Sequence, residues 1–186
     1  IRNYITIFTV FIITAAFPAK FIIKTFLDNY ATATAIIFYL FSAQIFFFPI
    51  KCIYVNLYKA QKRQRQYFIK LILAIIAGFI LNAVCFAFMH NKESVAIGTI
   101  LSAFFWWLLC VLDFKEINYG VKDIAFMIIE LVTFNICGLA FNSIIGCVIY
   151  SFFTLIMTVM FSRNDLVELI KLGAKVLIRH SGKKYL

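Results

Sequence analysis

Apolar stretches of about 18 residues or more recur along this chain, with only short polar breaks between them. That length narrows the possible folds sharply. A helix rising 1.5 Å per residue needs about 20 residues to cross a hydrocarbon core of about 30 Å. The stretches lack the apolar-polar alternation of a strand, and an open sheet edge finds no hydrogen-bond partner in lipid, so each is expected to be a helix. Composition agrees: 64% of the 186 residues are hydrophobic and 23 are phenylalanine, well above the apolar share of a soluble domain. The expected fold class is an all-α integral membrane protein. The chain opens on Ile1 and enters an apolar run by Tyr4 without a cleavable leader pattern, which reads as a start partway through a larger helical protein.

Six transmembrane helices are predicted, over about residues 3–19, 31–58, 67–89, 94–112, 124–140 and 144–161. The first bends at Pro18 into a short amphipathic extension that carries Lys20, Lys24 and Asp28. The second is long and holds Pro49 and Lys51, so a tilt or kink is expected there. The hinge at about residues 141–143 leaves room only for an antiparallel helical hairpin. Residues 1–161 thus form a transmembrane region, and 162–186 a basic cytoplasmic tail. In that tail Leu166, Leu169, Ile170, Gly173, Val176 and Leu177 recur at helical spacing opposite Glu168, Lys171, Lys175 and Arg179. The pattern predicts an amphipathic interfacial helix, with Ser162 and Asn164 as caps.

Charge orients these helices. With alternate loops assigned to alternate faces, Arg2, the five basic residues between Lys59 and Lys70, Lys115, Lys122 and the six of the tail share one side. Lys20, Lys24 and Lys92 lie on the other, and Lys51 is left within a span. Basic residues gather in cytoplasmic loops, so both ends are expected in the cytoplasm. The net charge of +10 then reflects topology and attraction to anionic membrane lipids, and no folded polar domain calls for nucleic acid.

Chemistry is sparse. Cys52, Cys85, Cys110, Cys137 and Cys147 all fall in predicted spans without a C-x-x-C pair, and His90 and His180 lie at opposite faces. No metal, cofactor or redox site is expected, and the cysteines read as packing residues. Asn82, Asn135 and Asn142 are read as helix fasteners, and Gly78, Gly98, Gly138 and Gly146 as close helix contacts. Trp106 and Trp107 fall past the middle of their span rather than clearly at an interface.

Ionisable groups inside a span stand out, because each costs on the order of 3 kcal/mol to insert. Lys51 is one. Gln44 lies seven residues before it and Tyr58 seven after, which places amide, ammonium and phenol on one helical stripe. The stripe suits a water-filled lumen for a polar or anionic cargo; alternatively, Lys51 snorkels toward cytoplasmic head groups. Glu130 is the other, on a face shared with Asp123, Phe134 and Cys137. It reads either as a proton or cation site or as a structural bond to a neighbouring helix.

Three segments carry a family resemblance. Asp28-Asn29-Tyr30-Ala31 precedes the second span, Asn56-Leu57-Tyr58-Lys59-Ala60-Gln61-Lys62-Arg63 leaves it, and Glu93 to Ser102 (ESVAIGTILS) opens the fourth. In this order they resemble the C-terminal polysaccharide-biosynthesis region of lipid-linked oligosaccharide flippases of the multidrug/oligosaccharidyl-lipid/polysaccharide exporter superfamily. Gln61 stands where that family has glycine, and the glycines it carries before Val95 are absent. The resemblance implies the ninth to fourteenth helices of a fourteen-helix transporter in the bacterial inner membrane, with an N-terminal lobe of the same protein as partner. Its implied cargo is an undecaprenyl-diphosphate-linked oligosaccharide repeat unit for O-antigen, capsule or exopolysaccharide, moved by alternating access. By position Gln44, Lys51 and Tyr58 would face the lumen, Lys20 and Lys24 would sit near the outer mouth, and Glu130 would be the ion-coupling candidate.

Two other classes fit the same helices. A membrane transferase acting on polyprenyl-linked substrates needs clustered acid-base or metal-binding groups, yet the eight acidic residues are scattered and Lys115 separates Asp113 from Glu116 in what reads as a solvated loop. A noncatalytic membrane subunit is the third reading. A transporter rather than an enzyme is expected.

Overall fold

A computed structural model describes residues 15–27, 33–114 and 121–160, together with Lys171. Among these residues the fold is all-helical. Helix α1 covers residues 15–26. Helix α2 (Thr34–Pro49) runs through a π-helical turn (Ile50–Tyr54) into α3 (Val55–Ala60). Helices α4 (Gln64–Met89), α5 (Glu93–Asp113) and α6 (Val121–Ala140) follow, and α7 covers Ser143–Met160.

Five helical stretches are long and apolar enough to cross a membrane: Thr34–Ala60, Gln64–Met89, Glu93–Asp113, Lys122–Ala140 and Ser143–Met160. They coincide with the second to sixth predicted spans to within a few residues. Most of the first predicted span and nearly all of the tail lie outside the described residues, as do Asp28-Asn29-Tyr30-Ala31, Lys115 and Glu116.

The π turn follows from Pro49. Proline brings no N–H to the helical ladder, and the bonding pattern adjusts around it: Ile50 N–H donates to the Phe47 carbonyl three residues back, and Val55 N–H reaches Ile50, five back. The Asn56 side-chain amide then donates to the Cys52 carbonyl at 2.8 Å. Backbone groups loosened by the wide turn are thus satisfied by a local side chain, as apolar surroundings require.

Helix α2 is the middle of the structure, packing against α5 on one side and α6 on the other, while α4 packs on α5. The larger core joins Phe46, Ile50, Tyr54 and Tyr58 to Ala103, Trp107, Cys110 and Phe114 of α5 and its end, and to Met127 of α6. Trp107 is 1% exposed, and its ring stacks with Phe104 at 5.9 Å. A second core unites Phe17 of α1, Phe38 of α2, Phe134 and Cys137 of α6 and Tyr150 of α7. Its rings meet edge-on or tilted at centroid distances of 5.1 to 6.1 Å, the arrangement favoured by aromatic quadrupoles.

All four predicted close-contact glycines are at tight approaches. A Cβ on Gly98 would lie 2.9 Å from Asn82 Cα, and one on Gly78 would meet the Ser102 hydroxyl at 2.7 Å. Gly138 faces the Phe38 ring, and Gly146 faces the Cys137 carbonyl. Elsewhere apolar side chains turn outward, among them Phe68, Phe79 and Phe88 of α4 and Ile144, Phe152 and Leu155 of α7.

Candidate functional site

Glu130 is the most deeply placed acidic group among the described residues, 1% exposed on the inner face of α6. Helical spacing sets Phe134 four residues on and Cys137 seven on along that face, and both are buried with it. Helix α7 answers with Tyr150 and Thr154, one turn apart. The Tyr150 hydroxyl donates to Glu130 Oε2 at 2.5 Å and the Thr154 hydroxyl reaches the same oxygen at 3.3 Å. Glu130 Oε1 is buried with no hydrogen-bond partner among the described residues. Among the described residues no ion pair reaches the carboxyl. An ionised carboxylate buried in this way costs several kcal/mol, against about 1–3 kcal/mol for an orphaned neutral polar group.

Next along the same seam, the Asn135 amide donates to Ser42 Oγ on α2 at 2.7 Å and to the Leu131 carbonyl at 2.8 Å. Asn135 therefore fastens α6 to α2, as expected of an asparagine in a span. Asn82 serves by packing against Gly98 instead, and the Asn142 carbonyl accepts the Gly146 N–H at the start of α7.

Lys20 is buried at 4% exposure. Its ammonium donates to the carbonyls of Gly138 and Phe141 at the C-terminal end of α6 and sits 5.6 Å from the Phe38 ring centroid. A cation there satisfies carbonyls that the helix leaves over and complements the negative end of its dipole. Lys24, one turn on, is exposed. The two outer-mouth candidates are thus unlike: one is committed to holding a helix end, the other is open.

The predicted stripe of Gln44, Lys51 and Tyr58 does not stay together. Gln44 is half-buried, Lys51 is exposed, and Tyr58 is buried at 1%. The cause is the π turn, which carries Lys51 and whose wider winding rotates everything after it away from a constant 3.6-residue register. The Lys51 ammonium lies 6.0 Å from the Phe47 ring centroid.

Tyr58 instead joins a cluster that sequence reasoning missed. Its hydroxyl donates to Asp113 Oδ2 at 2.5 Å, and the Lys70 ammonium pairs with the same oxygen at 2.6 Å. Lys70 also donates to the Leu109 carbonyl at 2.5 Å. Asp113 closes α5 rather than entering a solvated loop, and it ties α3, α4 and α5 together at one end. The available signal was position alone, since Tyr58, Lys70 and Asp113 each fall at a predicted span boundary on the same side. Tyr150 and Thr154 were also missed; their signal was a hydroxyl pair at i, i+4 in the helix that returns against Glu130.

No group of three or more His, Cys, Asp or Glu residues that could hold a metal ion exists among the described residues, and their five cysteines are free thiols. No family model, no curated protein and no solved structure matches this chain.

Proposed function

We propose that this chain is a membrane-embedded lobe of a transporter that carries an anionic, lipid-linked oligosaccharide across the bacterial inner membrane, with both ends of the chain in the cytoplasm. The observation that carries the reading is Lys51, a lysine exposed in the midst of a span, about nine residues or roughly 13 Å from the Ala60 end by helix rise. A cation at such depth is costly against lipid and is usually kept for a water-filled cavity or a charged ligand. It sits on a π turn after a proline, and π turns inside α-helices are frequent at functional sites. A polyprenyl diphosphate needs its charge compensated and its sugars shielded on the way across, and a lysine facing a lumen between this lobe and a second, N-terminal one would serve both needs. Exposed Lys59, Lys62, Arg63 and Arg65 give the cytoplasmic end an attraction for anionic lipid.

In the full-length protein, Lys51→Ala is expected to lower glycan export by about tenfold, the equivalent of roughly 1.4 kcal/mol of binding, while membrane abundance stays normal. Metabolic labelling of the lipid-linked glycan reads it: an intact repeat unit accumulating on the cytoplasmic face supports transport. A changed sugar composition would point to a transferase, and unchanged export would remove Lys51 from the site.

A further inference from the structure

We propose that Glu130 is a proton-binding site on the seam between α6 and α7, held in place by the hydroxyls of Tyr150 and Thr154. The carboxyl is asymmetric. Oε2 accepts both hydroxyls, whereas Oε1 is buried with no partner. A structural hydrogen bond between helices needs only the first oxygen; the second, if the group is ionised, carries buried negative charge that no donor among the described residues meets. Sodium in such a place demands several more oxygen ligands, and the two hydroxyls here are already turned to Oε2. A proton needs one lone pair and no cavity. Its uptake forms one O–H bond at Oε1, cancels one negative charge and changes no other bond.

The surroundings fit a group that gains and loses that proton as the seam opens. Tyr150 is the titratable group of α7 in contact with the carboxyl. On α6, Cys137 lies buried two turns on, half-buried Asp123 lies two turns before, and Lys122 is exposed. From α1, the Lys20 ammonium is bound eight residues further along α6, at Gly138 and Phe141, about 12 Å away by helix rise. Lys24 of α1 and Lys51 after α2 are exposed, and α2 presents the neutral Phe38 and Ser42 to this seam. Among the described residues the carboxyl meets two neutral hydroxyls and no ion pair, so a proton is what neutralises it while the seam is closed. Separating α7 from α6 would admit water and allow release.

The site does not depend on what cargo the protein carries, so it can be tested without any transport assay. The whole chain is reconstituted in phosphatidylcholine bilayers and its infrared spectrum recorded as pH is stepped. The expected result is a carbonyl-stretch band of a protonated carboxylic acid that vanishes in Glu130→Gln and shifts in Tyr150→Phe, because the phenol bond to the carbonyl oxygen is lost. A band identical in wild type and Glu130→Gln overturns the proposal, as does one that added sodium removes at fixed pH. If Glu130→Gln does not fold, judged by circular dichroism, Tyr150→Phe decides: a shifted band supports the site and an unshifted one overturns it.

Discussion

Lys20 shows how far a single residue can be read before its partners are known. Its charge on the face where basic residues are scarce marked it as unusual, and the sequence pattern pointed to an anion near an outer mouth. In the structure its ammonium closes the C-terminal end of α6 through two carbonyls separated from it by 118 and 121 residues. Charge-assisted hydrogen bonds to buried acceptors are worth about 1.5–3 kcal/mol each, diminished where the site is part-open. Lys20→Met, which keeps the length and loses the charge, is therefore expected to destabilise the protein by about 2–3 kcal/mol. The thermal unfolding midpoint in detergent would fall, and amide exchange at the end of α6 would speed up; an unmoved midpoint would return Lys20 to the list of anion-binding groups. Glu130 differs in what was legible. That an acid inside a span must have a purpose follows from hydrocarbon alone, and its face-mates Phe134 and Cys137 follow from helical spacing. Tyr150 and Thr154 do not, because the rotation of α7 about its axis is set by packing rather than by any local residue pattern.

At the scale of elements, five of the six spans expected from hydropathy correspond to described apolar helices, because length against bilayer thickness is a one-dimensional question. The π turn shows where that dimension ends. Pro49 announced an irregularity, but whether it becomes a kink, a break or a wide turn depends on which carbonyls find other donors, and here Asn56 provides one. The consequence reached the candidate site: Lys51 and Tyr58, seven residues apart and nominally aligned, face different surroundings. Helix pairing likewise rests on particular atoms. Since Gly98 lies against the Asn82 backbone and Gly78 against a side-chain hydroxyl, the two glycines should respond unequally to enlargement. Gly98→Ala is expected to cost about 1–3 kcal/mol by forcing α4 and α5 apart, and Gly78→Ala less, because the Ser102 hydroxyl can turn aside. Unfolding midpoints of the two variants in detergent measure the difference, and equal midpoints would contradict the backbone contact.

At the scale of the whole molecule, the chain turns back between helices at residues 61–63 and 90–92, so α5 packs beside α4 and α2. Tyr58, Lys70 and Asp113 meet at one end of the helices, while Lys20 meets Gly138 and Phe141 at the other. The excess of basic residues near the first of these ends predicts that it faces the cytoplasm. In a background lacking the native cysteines, Gln61→Cys is expected to react with a membrane-impermeant thiol reagent only in inverted vesicles, and Asn91→Cys only in intact cells. The reverse pattern would invert the orientation. The sequence by itself determined the helical class and the limits of the five described membrane-length helices, because those depend on apolar length counted along the chain. Only the tertiary structure decided that Lys20 caps a helix, that Tyr58 leaves the Lys51 stripe for Asp113, and that Glu130 holds one oxygen bonded and one bare. Those outcomes depend on the rotation of each helix about its own axis, which neighbouring side chains fix together.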